Sequence, residues 1–212
     1  MAFFGWSAAD ASELPKLAIG LFGHLHSGKT TLLAALTHSL AARGWARPLT
    51  PAQLDDTRNE RALGRGAEVT HVCTRSARRR YVWVDIPGHA RAVPLALRYA
   101  AQVDAGVLVV GCDDGPKGQT AEHVIAARQL GVREWVVFLS RVDACGDDEE
   151  LIDLAESETR ELLTRCGLDG DAITVIRGSP RHAPARGTRS RRYRVVWERG
   201  KQHRWDFRRH FR

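Results

Sequence analysis

The sequence predicts an α/β fold on a mostly parallel sheet. Apolar runs of strand length alternate with stretches of helix length, and the central runs, "VDAGVLVVG" at 103–111 and "EWVVFL" at 134–139, are apolar throughout. Uninterrupted runs of that kind suit strands covered on both faces. A glycine-rich turn also joins the first long apolar run to the first helical pattern, as in α/β units that bind phosphate.

Taken in order, Leu17 to Phe22 reads as a short buried strand. Thr30 to Arg43 reads as a helix, with apolar positions at Leu32, Leu33, Leu36 and Leu40 and a stop at Gly44. In "THVCTRSARRRYVWVDI", residues 70–86, two alternating stretches flank a polar "RSARR", which predicts a hairpin. Strands follow at Val103 to Gly111, at Glu134 to Leu139 and in "AITVIRG" near residue 175. Helical patterns fill Ala90 to Ala101, Gly118 to Leu130 and Asp147 to Cys166. There is no internal repeat, and the crossovers are expected to be right-handed.

With 212 residues, 43% hydrophobic and 27% charged, the chain suits one core-bearing soluble domain. Its apolar runs are too short to span a bilayer and its first residues lack a signal-peptide pattern, so a cytoplasmic location is expected, with no membrane partner. Cys73, Cys112, Cys145 and Cys166 have no CxxC spacing, which argues against a zinc site or a disulfide framework and leaves core or incidental thiols. The net charge of +7 is uneven: residues 180–212 hold twelve Lys/Arg against two Asp/Glu, residues 1–179 hold 20 against 23. A boundary is therefore expected near Ser179, giving an extension at 1–15, a domain at 16–179 and a basic, poorly ordered tail at 180–212. The tail's one ordered candidate is a short strand at Tyr193 to Trp197.

The turn at Gly23 to Thr30 reads Gly-x-x-x-x-Gly-Lys-Thr. Leaving a strand and entering a helix, such a loop points successive backbone N–H groups at phosphate oxygens, assisted by the positive helix end. Gly23 and Gly28 permit the turn, Lys29 would bridge the terminal phosphates and the Thr30 hydroxyl would ligate magnesium. The chain has 28 Arg and only 4 Lys, yet places Lys at this position, where a compact charge fits and a forked guanidinium does not. At the end of a strand, "VDIPGHA" supplies Asp85 to face magnesium and Gly88 to offer an N–H to the γ-phosphate. Read alone, "DxPG" is equally a plain turn.

Together, "GHLHSGKTTL", "DIPGHA", "VDAGVLVVGCDDGPKGQTAEHVIAARQLGV" and "VVFLSRVD" resemble the GTP-binding domain of bacterial elongation factor Tu, a translational GTPase, from about Lys16 to Ser179. The resemblance implies a P-loop GTPase domain: a six-stranded, mainly parallel sheet with helices on both faces, switching with GTP or GDP and Mg²⁺. It carries nucleotide contacts onto Gly23, His24, His26, Ser27, Gly28, Lys29, Thr30 and Thr31, onto Asp85 and Gly88, and onto Ser140, Arg141, Asp143 and Ser179. Thr30 and Asp85 would hold magnesium. Lys29 would stabilise phosphoryl charge, and His89 would position the attacking water when the ribosome triggers hydrolysis.

The chain departs from the family at several of these positions. Asn-Lys-x-Asp becomes "SRVD": Asp143 keeps the carboxylate that pairs with two guanine N–H groups, Arg141 keeps an aliphatic stem for the purine, and Ser140 is too short for the acceptor edge. Pro180 breaks the last base-contacting loop after Gly178-Ser179. Arg65-Gly66 is followed by Ala67 and Glu68, with Glu68 where a magnesium-binding threonine belongs unless Thr70 substitutes by a register shift. In the P-loop, His26 and Ser27 replace aspartate and histidine. The tail resembles neither of the family's two β-barrel domains, so ordinary delivery of aminoacyl-tRNA is not expected. That leaves three readings of the tail: an arm that touches RNA or the ribosome, an inert segment, or an out-of-frame remnant. Two functional readings stand: a monomeric GTPase, and a degenerate or truncated module that holds guanine nucleotide without useful turnover.

Overall fold

The computed structural model of the chain describes residues 3–4, 14–54, 69–86, 101–146, 148–180 and 196–197. The described elements are β1 (Phe3–Phe4), β2 (Lys16–Phe22), α1 (Lys29–Ala41), β3 (Thr70–Arg75), β4 (Arg80–Asp85), β5 (Ala105–Gly111), α2 (Gly118–Gln129), β6 (Glu134–Ser140), a 3₁₀ turn (Val142–Cys145), α3 (Glu149–Arg165), β7 (Thr174–Ser179) and β8 (Val196–Trp197).

The strands lie in the order β1-β3-β4-β2-β5-β6-β7-β8. β4, β2, β5, β6 and β7 run parallel, and β3 is antiparallel to β4. These six form the expected sheet. Two-residue strands extend its edges, β1 parallel to β3 and β8 antiparallel to β7. β8 falls inside the strand expected at Tyr193 to Trp197.

Period-two alternation divides the core between the two faces. On one face Ile19, Leu21, Trp83, Val107, Val109, Val136 and Phe138 pack with Leu32, Leu33 and Leu36 of α1. On the other, Ala18, Phe22, Leu108, Val110, Val137 and Leu139 pack with Val124 and Ala127 of α2 and with Ile152, Ala155, Leu162 and Leu163 of α3. Residues one step apart on a strand thus bury against different helices, which is why the central runs carry no polar face. On β5 a side chain at Gly106 would collide with the Trp135 ring, 2.7 Å from an added Cβ, so the absent side chain admits the indole.

The hairpin forms where expected. Ser76 N–H donates to Arg79 O at 2.8 Å, and the Ser76 hydroxyl accepts from the N–H groups of Arg78 and Arg79 at 3.3 and 3.2 Å. α1 ends at Ala41 and α3 at Arg165, each close to the predicted limit; Gly44 takes φ 66° beyond the end of α1. All four cysteines are free: Cys112, Cys145 and Cys166 are buried and Cys73 is partly so. Burial, then a hydrogen bond with Cys145, pushes the Cys112 thiol up to about 12, in keeping with a core thiol. No helix among the described residues is long and apolar enough to cross a membrane.

From β2 the chain builds outward to β4 and β3 on one side, then returns to β5 and builds toward β7 on the other. The reversal opens a crevice beyond the carboxyl ends of the parallel strands, where α/β sheets place their ligands. The loop after β2, the end of β4 and the end of β6 all meet there.

Candidate nucleotide-binding site

The loop after β2 closes tightly. Gly23, at φ 138°, passes so near β5 that an added Cβ would lie 2.2 Å from Val109 O, and Gly28, at φ 98°, caps α1 in the left-handed region. His26 is also left-handed, at φ 63°. No side chain caps α1, which leaves its first-turn N–H groups facing the crevice. Lys29 is the first residue of that helix and is buried. Its ammonium turns back and donates to Gly23 O at 2.8 Å and His24 O at 2.7 Å, so two of its three N–H bonds fix it inside the loop.

The β2–β4 ladder sets Asp85 opposite Leu21, at the root of the same loop. Asp85 is fully buried, and Thr30 Oγ1 donates to Asp85 Oδ2 at 3.2 Å. A hydroxyl and a carboxylate side by side form an oxygen-only pair, the hard donor set that magnesium uses with one or two protein ligands and substrate phosphates. Among the described residues no cluster of three or more His, Cys, Asp or Glu side chains gathers, so an all-protein metal cage is not built here. Thr70 opens β3 directly across from Asp85 and is fully buried, which commits it to the sheet ladder.

At the end of β6, Ser140 is fully buried. Its hydroxyl donates to Ser27 O and lies 3.2 Å from Val110 O. Arg141 takes the left-handed conformation at φ 59° and pairs through Nη2 with Asp113 Oδ1 at 2.8 Å. Its guanidinium lies over Gly111, where an added Cβ would come within 2.3 Å of it. Asp143 sits in the 3₁₀ turn and accepts a hydrogen bond from the Ser179 hydroxyl at the end of β7. The P-loop, the carboxylate of β4 and the "SRVD" and "GS" segments are therefore assembled around one crevice.

The elongation factor Tu GTP-binding domain family matches residues 15–185. The chain belongs to that family. The match takes in every described site residue, and it makes this a GTP-binding domain of the translational GTPase type. Gly88, His89, Glu68 and the helix expected at Ala90 to Ala101 lie outside the described residues, apart from Ala101 itself, as does the tail beyond Pro180 except Val196–Trp197.

In this GTP-binding domain one group of site residues was not legible in the motifs. Asp113 and Asp114 follow β5 and brace two loops: Asp113 holds Arg141 of the base-side loop, and Asp114 Oδ2 lies 3.0 Å from His24 Nε2 of the P-loop. Lys117 Nζ meets the other Asp114 oxygen at 2.6 Å. Burial pulls the His24 imidazole below its ordinary value, an effect opposed by Asp114, and the Lys117 hydrogen bond holds Asp114 below the usual carboxylate value. The only sequence signal was a pair of adjacent aspartates after an apolar strand, which reads equally as a solvated loop.

Proposed function

We propose that the chain binds GTP and GDP at this crevice together with Mg²⁺ and hydrolyses GTP to GDP and phosphate. The observation that carries this reading is the Lys29 ammonium, held inside a glycine-bounded loop by Gly23 O and His24 O. An ammonium so held beside a helix N-terminus lies where phosphate oxygens would come. Thr30 and Asp85 would hold magnesium, which when bound neutralises charge on the terminal phosphates. Asp143, oriented by Ser179, reads the donor edge of guanine. Gly88 offers its N–H to the γ-phosphate, and His89 orients the attacking water, a role taken from the family resemblance. The His24, His26, Ser27 and Thr31 positions complete the phosphate loop, and the domain occupies 16–179.

A second reading is favoured by Ser140. Its hydroxyl is committed to Ser27 O and Val110 O, so the acceptor edge of guanine meets no amide from this position. One lost hydrogen bond lowers affinity by about 5- to 150-fold, which suits a module that holds nucleotide weakly and turns it over little. Titrating the purified chain with fluorescent GDP, GTP and ATP analogues, with and without Mg²⁺, tests both. Guanine over adenine preference is expected, and equal affinity for GTP and ATP would overturn the assignment. Phosphate release by the GTP-bound chain with ribosomes present then separates the enzyme from the binding module.

A further inference from the structure

The β3–β4 hairpin lies at the amino ends of the parallel strands, opposite the nucleotide crevice. Its tip carries Arg78 and Arg79, and the first residue of β4, Arg80, stands in register with Lys16 of β2. The segment after α1 reaches the same end: Trp45 O accepts from Arg75 N–H at 2.8 Å, and the Arg43 guanidinium lies 5.1 Å from the Trp45 ring centre. Five cationic side chains thus converge on one end of a domain whose first 179 residues carry more Asp and Glu than Lys and Arg.

Among the described residues these five have no carboxylate partner. Elsewhere Arg141 pairs with Asp113, Arg160 with Glu156, Arg165 with Glu161, and Arg177 with Asp153 and Glu156. Among the described residues Lys16, Arg43, Arg78, Arg79 and Arg80 form no such pair. Like charges on one end without paired carboxylates repel, and a bound anion would relieve that repulsion. The turn that presents them is fixed by Ser76, so little ordering entropy is lost when a partner docks.

We propose that this basic end docks the phosphate backbone of duplex RNA. Guanidinium groups match phosphate oxygens in bidentate geometry. A membrane surface would also attract the charge, but the exposed large apolar side chains, Leu25, Ile125, Leu130, Leu151 and Leu154, belong to other segments, so nothing described here would insert among lipids. The hairpin is blunt and its strands are occupied in the sheet, so it has no element free to enter the major groove of DNA. The backbone of an A-form helix flanks a wide, shallow groove that such a surface can meet, and contact there is read by shape and not by sequence. The crevice at the far end of the strands stays open while RNA is bound.

The test is fluorescence anisotropy of a labelled, mixed-sequence RNA duplex of about 16 base pairs with the full chain, over a range of salt. The double variant Arg78→Glu/Arg79→Glu is compared with Lys201→Glu/Arg204→Glu, which makes the same change in net charge within residues 180–212. The hairpin variant is expected to bind about 10-fold or more weaker, with the salt slope reduced by about two, and the control to stay within about threefold. Circular dichroism checks folding, and Arg78→Gln/Arg79→Gln replaces the reversal if that variant does not fold. Equal weakening in hairpin and control variants would overturn the proposal, since bulk charge or the tail would then carry the binding. Hairpin-dependent binding to phosphatidylserine vesicles without hairpin-dependent binding to RNA would overturn it as well.

Discussion

The Ser140 hydroxyl donates to the main-chain oxygen of Ser27, 113 residues earlier in the chain. The bond ties the end of β6 to the middle of the phosphate loop, and Gly28 beside it lies close to Ser140: an added Cβ would sit tightly, 3.2 Å from the serine oxygen. The position that should read a base edge therefore shapes the phosphate loop.

Ser140→Ala removes the donor and leaves the buried carbonyl oxygen of Ser27 short of it. A loss of about 1–3 kcal/mol in unfolding free energy is expected, the usual cost of stranding a buried polar group. Urea denaturation of the two proteins measures it. A midpoint unchanged by the substitution would mean that the bond contributes nothing to the loop.

Asp143 accepts from the Ser179 hydroxyl, and an asparagine could keep that contact through its carbonyl oxygen while presenting N–H groups to the base. Asp143→Asn is therefore predicted to shift preference from guanine toward xanthine nucleotides, by about tenfold or more in the ratio of affinities. Competition of GDP and XDP for a fluorescent analogue reads this ratio. An unchanged ratio would place base recognition elsewhere.

For Lys29→Ala the expectation is a loss of at least about 2 kcal/mol in nucleotide binding, roughly 30-fold, because a charged donor is removed from a closed phosphate site. The substitution also takes donors from Gly23 O and His24 O, so thermal unfolding without nucleotide is measured alongside. Equal affinity in both proteins would show that the loop does not hold phosphate.

The sheet could be read from the sequence because each strand announces itself locally. "VLVVG" and "EWVVFL" are apolar on both faces because α1 lies on one side and α2 and α3 on the other, and the hairpin is marked by alternation around a polar turn. The two-residue strands at the edges carry too few residues for a period to show; of the two, only β8 was anticipated. Motif spacing also pointed to Lys29, Thr30 and Asp85, and the family resemblance to Asp143. Neither showed what Ser140 binds and what Asp113 and Asp114 hold, since those bonds join segments 28 to 113 residues apart and depend on how the strands are ordered. Nothing local to "CDDG" distinguishes two loop-bracing carboxylates from two solvated ones.

The contact between His24 and Asp114 yields a pH prediction. The imidazole is buried, and burial holds its proton affinity below the ordinary value of 6.5. The unfolded chain thus takes up a proton on His24 at a higher pH than the folded chain does. Where the unfolded state binds more protons, stability rises with pH, so the folded domain is at full advantage above 6.5 and loses it as pH falls through the lower folded value. Asp114 does not titrate in this window, because Lys117 keeps it below the ordinary 3.8. The chain is expected to lose stability between about pH 7.5 and about pH 5.5, and His24→Gln, which keeps a donor for Asp114 but cannot charge, is expected to lose less. The chain holds nine histidines, so the difference between the two proteins is the quantity to measure, by urea midpoints at both pH values. Because His24 O also anchors the Lys29 ammonium, GDP affinity should weaken over the same interval in the unmodified chain and more shallowly in the variant. Parallel pH dependence in both proteins would show that the imidazole carries no charge-linked strain into the loop.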